Sequence, residues 1–427
     1  MVCLRMKCGK GEHIQILFVA TNMPVPPNSG QAIRSLSIIR ALAASGHELN
    51  FVSFAGRGHT EAPDPLSSYC REIDLLEREL TNMSQRADYL KRGSCLLLLK
   101  PYSLERFRCE AMQARIQRQL NAKRFDLIMC DGLYALVNVP QTKVPIALNC
   151  HNVEYIIFKR YSQVEKNFFK KCYAILETYL MRDAERRSCR RSAIAMACSN
   201  DDRDVLHQLL PDLPIIVVPN AVDTDSYLPD EGLSSGNASP ILLFQGTMDW
   251  YPNRDAVEFF IRMVLPLVRA ECPTVKFIVA GRNPPVRFVQ EFGAYPGVEF
   301  TGTVPDMRPY LSAATVVVVP LRLGSGTRIK ILEACAAGKP VVSTSVGAEG
   351  LDLEAGREII LADDPAQFCR SVVTLLRDPA RRDAIGTLAR NVIVERYSHL
   401  ALKRSLEELI STFTQADSLR TVDEPNR

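Results

Sequence analysis

Residues Val316–Leu351 read VVVVPLRLGSGTRIKILEACAAGKPVVSTSVGAEGL. Four valines make an apolar strand, Gly324-Ser325-Gly326-Thr327 makes a turn, and a helical pattern carrying Arg328, Lys330 and Glu333 follows at once. A second apolar strand, Val341–Ser343, closes the unit. Strand, glycine-rich turn and helix together present backbone N–H groups and a helix N-terminus to an anion, and a phosphate suits that arrangement. The two cations would face it, while Glu333, further down the helix, is placed to accept hydrogen bonds from sugar hydroxyls. The plainer reading is an ordinary βαβ crossover with solvated charges. Such a crossover, however, needs a single glycine and no adjoining basic pair.

The same alternation recurs along the chain. Ile14–Ala20, Leu49–Ala55, 126–131, Ile146–Cys150, Ile194–Cys198 and Ile215–Val218 are short, nearly continuous apolar runs, as strands covered on both faces require. Ile241–Phe244, Val275–Ala280, Val298–Thr301, Val316–Val319, Val341–Ser343 and Ile359–Leu361 form a second set. Between the sets the stretch ending PDEGLSSGNASP has the composition of a linker. The expected architecture is α/β, with two Rossmann-like, doubly wound domains facing across a cleft. Residues 13–220 form the first domain, 221–240 the linker and 241–395 the second. A helix over 396–416 returns to the first domain. Residues 1–12 are read as a disordered lead-in and 417–427 as a loose tail.

Composition narrows the class. With 427 residues the chain exceeds one core, and 23% charged residues with a net charge of +4 is ordinary globular chemistry, so nucleic acid is not an expected partner. Thirteen cysteines lie scattered without zinc spacing, which fits reduced thiols and no metal site. No run reaches the ~18 apolar residues of a membrane span. The N-terminus lacks the apolar core of a signal peptide, and a cytoplasmic location is expected.

The first strand runs into TNMPVPPNSGQAIRSL, where Ser29 reads as a helix N-cap and Gly30 as the residue that lets a bound group approach the backbone, or simply as a turn glycine. Arg34, one turn on, faces either the cleft or solvent. His151 ends the strand Ile146–Cys150, on the rim where open α/β sheets bind ligands, and could bond a substrate hydroxyl or take a proton. A structural histidine is the competing reading. Ser199 and Asp202 read as a helix cap.

Residues 159–191 hold ten Lys and Arg interleaved with Phe168, Phe169, Tyr173, Ile175, Leu176, Tyr179 and Leu180. The pattern reads as one amphipathic helix, packed on the core with a solvated basic face. The second reading is peripheral contact with the inner membrane surface.

In the second half, Gly246 and Thr247 follow one strand, Gly281 and Arg282 the next, and Gly302 to Asp306 the third. Small residues on every rim position describe a pocket for a base, a ribose and a diphosphate. Trp250 reads as packed beneath this rim or lining it.

On PLRLGSGTRIKILEACAAGKPVVSTSVGAEGL, GTMDWYPNRDAVEFF, GTVPDMRPYL and HNVE, the chain resembles the family 4 (group 1) retaining glycosyltransferases of GT-B fold, closest to bacterial polysaccharide-associated sugar transferases. That resemblance implies a nucleotide-sugar donor, a glycan or lipid-linked acceptor and no cofactor. By the same resemblance Glu333 holds the nucleotide ribose. Gly324, Gly326 and Thr327 meet the diphosphate, Val304 contacts the base, Gly30 closes on the phosphates, and His151 lies close to the transferred sugar.

Two departures stand out. The first Glu of the family's Glu-x7-Glu falls at Ser325, and the Arg and Lys that clamp the diphosphate fall near Thr247 and Asn253, both uncharged. Arg328 and Lys330 are the candidates to replace that charge, with Arg254 and Arg282 behind them. The expected reaction is metal-independent transfer, in which cations and amides stabilise the departing diphosphate. The departures keep two other readings open, a catalytically inactive sugar-nucleotide-binding protein and a nucleotide-sugar epimerase on the same fold.

Overall fold

The computed structural model describes residues 13–56, 65–77, 85–229, 239–324 and 326–420. The chain divides into two units, Met1–Pro219 with Leu402–Arg427, and Asn220–Ala401.

The first unit holds seven parallel strands: β1 (Gln15–Val19), β2 (Glu48–Ala55), β3 (Glu72–Glu77), β4 (Leu127–Cys130), β5 (Ile146–Asn149), β6 (Ile194–Ala197) and β7 (Ile215–Val217). Their spatial order is 3-2-1-4-5-6-7. Phe18 of β1 lies in register with Phe51 of β2 and Met129 of β4, and all three are buried. The sequence reading lacks β3. Its EIDLLE is half polar because it is the outer strand, with only Leu75 fully buried.

The second unit holds six parallel strands: β8 (Ile241–Gln245), β9 (Lys276–Ala280), β10 (Val298–Gly302), β11 (Val316–Val319), β12 (Val341–Ser343) and β13 (Ile360–Leu361). Their order, 10-9-8-11-12-13, repeats that of the first sheet. The four valines of β11 are wholly inaccessible to solvent, since helices cover both faces of a central parallel strand. Each such side chain contributes roughly 1.5–3 kcal/mol by burial. In both sheets the winding direction reverses between the first and fourth strands, β1 and β4 in one, β8 and β11 in the other. Open α/β sheets bind ligands at the carboxyl ends beside that reversal.

Several boundaries differ from the sequence reading. The second unit begins at Asn220, not after a linker over 221–240. Val222 is buried in its core and bridges to Ser398, and Tyr227 is likewise packed. Residues 230–238, the most linker-like part, lie outside the described residues, as do 1–12 and 421–427. The final helix, His399–Arg420, runs past the expected end at 416. Residues 159–191 are not one helix. Glu154–Val164 ends at Glu165, and Asn167 caps a new helix, Phe168–Cys189, by accepting the Lys170 N–H at 3.1 Å. Trp250 is half exposed at the head of the helix Tyr251–Phe259.

Candidate functional site

In the second unit the chain leaves β11 through a turn pinned at its start. The Arg322 guanidinium grips both oxygens of Asp255 at 3.0 and 2.6 Å and covers the Phe259 ring. Gly324 (φ +124°) and Gly326 (φ +75°) then hold a backbone that a side chain disfavours. Arg328 occupies the cap position of the helix Ile329–Ala336, which sets Lys330 and Glu333 three residues apart on one face.

That face looks onto the end of β8. Nζ of Lys330 donates to Oδ1 of Asn253 at 2.8 Å and stands 4.2 Å above the Phe244 ring. Glu333 accepts from the Gln245 amide at 2.6 Å and from the Tyr227 hydroxyl at 3.1 Å. Burial pushes the Glu333 carboxyl up to about 7, against the pull of those two bonds and of Lys330. Burial likewise pushes the Lys330 amine down to about 7, helped by Arg328 and opposed by Glu333. Both groups are therefore poised, and an added anion or sugar hydroxyl would change their charge.

The two uncharged positions where the resemblance expects cations are each met by one. Lys330 reaches Asn253, and Arg282 donates to Oγ1 of Thr247 at 3.3 Å. Arg328 bends back on its own turn, donating to the Gly326 carbonyl at 2.6 Å. Arg254 is held by the Met248 carbonyl at 2.6 Å. Thr327 accepts from the Asn220 amide. A Cβ on Gly246 would stand 2.8 Å from Nζ of Lys330 and 2.9 Å from Nδ2 of Asn253, so a side chain there would push on that pair.

Gly281 corrects the argument that small rim residues imply a ligand. A Cβ on it would lie 1.9 Å from the Gly246 carbonyl oxygen, so strand packing alone excludes a side chain. Val304 follows the outer strand β10 and is half-buried. Its loop neighbours Asp306 and Arg308 lie close enough to Tyr227 to act on its phenol, which burial drives well above its usual range. Ser325 lies outside the described residues.

In the first unit His151 follows β5 and meets Asp131 at the end of β4, Nε2 to Oδ1 at 2.8 Å. Asp131 is buried, and it also accepts from Ser35 Oγ at 2.7 Å and Asn149 Nδ2 at 2.8 Å. Burial favours the protonated acid, but His151 and these donors outweigh it and hold the carboxyl below its ordinary range. An ionised carboxylate only accepts, which assigns the shared proton to Nε2 of His151. Arg34 faces neither a cleft nor solvent. It is buried, donating to Asn149 Oδ1 at 2.9 Å and to the Val218 carbonyl at 2.8 Å. Gly30 is the exposed first residue of the helix Gly30–Ala44, and Ser29 caps it by accepting the Ala32 N–H.

Asp131, Asn149, Gln245 and Tyr227 escape the sequence reading. Asp131 carried a usable signal, a carboxylate closing an apolar strand, the same position that drew attention to His151.

Residues 28–226 match the Glycosyltransferase Family 4 pattern, and residues 239–378 match the Glycosyl transferases group 1 pattern. The chain belongs to the group 1, family 4 glycosyltransferases. It is accordingly an enzyme of sugar transfer, built on the GT-B fold. A Klebsiella pneumoniae protein described as an uncharacterized 44.6 kDa protein in the cps region is 22% identical over 394 residues, 90% of this chain and 96% of that one. Sucrose-phosphate synthase from Thermosynechococcus elongatus superposes with a TM-score of 0.70 at 19% identity, covering 95% of this chain and 100% of that one. Anabaena HepE, solved in complex with UDP and glucose, superposes with a TM-score of 0.64 at 15% identity, covering 94% and 100%. At these identities the two structures speak to the fold of the glycosyltransferase. Its chemistry rests on the residues just described.

Proposed function

We propose that this glycosyltransferase moves a sugar from a nucleoside-diphosphate sugar to a hydroxyl of a glycan or lipid-linked acceptor during polysaccharide assembly in the cytoplasm. The observation that carries the reading is the double replacement at the end of β8, Lys330 on Asn253 and Arg282 on Thr247. In this reading the two side chains supply the positive charge that a departing diphosphate needs, Lys330 taking up its proton as the diphosphate binds.

In this reading Glu333 takes the ribose hydroxyls, and Val304 lies against the base. Gly246, Gly281 and the amides of Gly324, Gly326 and Thr327 lie along the donor. As the sugar–oxygen bond breaks, negative charge grows on the diphosphate, and Lys330, Arg328 and Arg282 stabilise it without requiring a metal ion. In the first unit Gly30 offers a helix N-terminus to phosphate, and His151, oriented by Asp131, meets the sugar substrate. Retention of anomeric configuration completes the proposal. HepE with UDP and glucose supports the donor class, and the cps-region relative supports the polysaccharide role.

A thermal-shift screen against UDP, GDP, ADP and their sugars tests the donor, because a ligand of the folded state raises stability by mass action. Stabilisation by one nucleotide and its sugar is expected, and indifference to all of them would sink the reading. The product's anomeric proton coupling in NMR then tests retention. An inverted product overturns it.

A further inference from the structure

The basic segment that the sequence reading packs onto the core turns its apolar side outward. At about 100° per residue, Phe168, Cys172, Ile175 and Tyr179 fall on one stripe of the helix Phe168–Cys189, and all four are exposed. Phe169, beside the stripe, is 80% exposed. The buried side of the same helix carries Ala174, Glu177, Met181 and Glu185. Carboxylates inward and phenylalanines outward is the reverse of what a solvated helix does.

A second apolar projection adjoins it. The helix Gln85–Leu97 ends in Leu96-Leu97-Leu98-Leu99, all exposed, with Leu97 at 86%. The end of this helix is closed by Lys100 N–H to the Cys95 carbonyl at 2.9 Å and Leu99 N–H to the Leu96 carbonyl at 3.3 Å. That pair of bonds puts Leu99 at the left-handed position, φ +50°, which glycine ordinarily takes. A leucine there costs backbone strain and leaves most of its side chain exposed. Ser103, just beyond, donates its N–H to Glu177 at 2.9 Å, and Arg92 acts on the Tyr173 phenol, so the two projections adjoin on the first unit.

The rim is basic. Lys171 lies beside the stripe, Lys166 and Lys170 stand at the head of the helix, Lys100 follows Leu99, and all four are exposed. From this juxtaposition we infer that the Phe168–Tyr179 stripe and the Leu96–Leu99 corner enter the headgroup layer of an anionic lipid bilayer, with the lysines at its phosphates. Exposed apolar side chains with lysines at one end match that surface in both layers, acyl chain and headgroup. Pairing with a second copy would set the lysines against themselves. Among the described residues no helix is long and apolar enough to cross the membrane, so the contact is peripheral. The inference deepens the lipid-linked-acceptor reading above by naming how the enzyme meets its acceptor's membrane.

Flotation of the full chain with phosphatidylglycerol vesicles, against phosphatidylcholine vesicles, tests it without donor or acceptor. Failure here is thus separate from failure of the donor screen. The wild-type chain should float with the anionic vesicles and be released by salt. Phe168→Ser with Phe169→Ser should weaken binding at least about tenfold, and Lys170→Glu with Lys171→Glu at least about fivefold for each lysine lost. Leu99→Gly is the discriminating variant, since it relieves the backbone and should keep or raise Tm while still weakening flotation. Three results would overturn the inference: no flotation of the wild type, unchanged flotation in all variants, or a lipid-free dimer abolished by the Phe168/Phe169 change.

Discussion

Nζ of Lys330 lies 2.8 Å from Oδ1 of Asn253, a neutral partner for an amine held deep enough to lose its proton near pH 7. Asparagine stands where the family resemblance leads one to expect a clamp cation, and the lysine that reaches it comes from the helix Ile329–Ala336, after β11. The charge of the site is therefore conditional, and a diphosphate would restore it.

Nucleoside-diphosphate binding should consequently take up a proton at pH 8. The ligand-free amine is largely neutral there, whereas beside a diphosphate it is charged. Affinity should fall as pH rises from 7 to 9. Calorimetry in buffers of different ionisation enthalpy measures the uptake directly. Lys330→Met should abolish it and weaken binding about 10–100-fold, the range of one hydrogen bond to a charged group. A buffer-independent heat would remove Lys330 from the diphosphate.

Glu333 separates affinity from stability. Its folded carboxyl sits at about 7, above the ordinary 4.5, so its contribution to stability is full below pH 4.5 and lost as pH rises through 7. Glu333→Gln should flatten that loss and still cost at least about tenfold in nucleotide affinity. Glu333→Ala should lose the same affinity and lower Tm as well, because the Tyr227 hydroxyl and Gln245 amide then lack their acceptor. Thermal melts at pH 5.5 and 7.5 beside a nucleotide titration distinguish the two variants.

Glu185 should behave as a stability switch without a role in transfer. Burial and then Glu154 push its carboxyl up to about 8, although it accepts the N–H groups of Glu154 and Tyr155 at the head of the helix Glu154–Val164. The wild type should lose stability as pH rises from 4.5 to 8. Glu185→Gln cannot ionise but keeps an acceptor oxygen for only one of those two N–H groups, so its Tm should be lower than the wild type's at pH 4.5 and should fall less between pH 4.5 and 8. An identical change of Tm with pH in the two proteins would show that Glu185 ionises without penalty.

Twelve of the strands were legible as short apolar runs, the central ones because a parallel strand buried on both faces must be apolar throughout, as β11 is. β3 was not, since an outer strand escapes that demand. Lys330 and Glu333 were legible through their spacing after a glycine turn. Where their side chains go was not, because it depends on Asn253 and Gln245, far away in sequence. The helix Phe168–Cys189 was misread for a different reason. Composition shows that an apolar side exists, and only packing shows which side faces the core. Here Ser103 claims Glu177 and the head of the preceding helix claims Glu185, which leaves the aromatics outside.

Asp131 makes the last test, because it reaches the chemistry only through His151. Its carboxylate is held ionised by Ser35 and Asn149 and by His151 itself. Ionised, it fixes the ring's orientation and the proton on Nε2. Asp131→Asn keeps the shape and one acceptor oxygen but can present N–H instead, which no longer specifies the tautomer. If His151 meets the sugar substrate, kcat should fall about 100-fold, the lower range for a positioned acid or base, while donor KM changes little. His151→Ala should cost as much, and the double variant no more than either single one, since both act through one ring. Additive losses in the double variant would mean that Asp131 serves the fold around Arg34 and Asn149, and that the histidine acts alone.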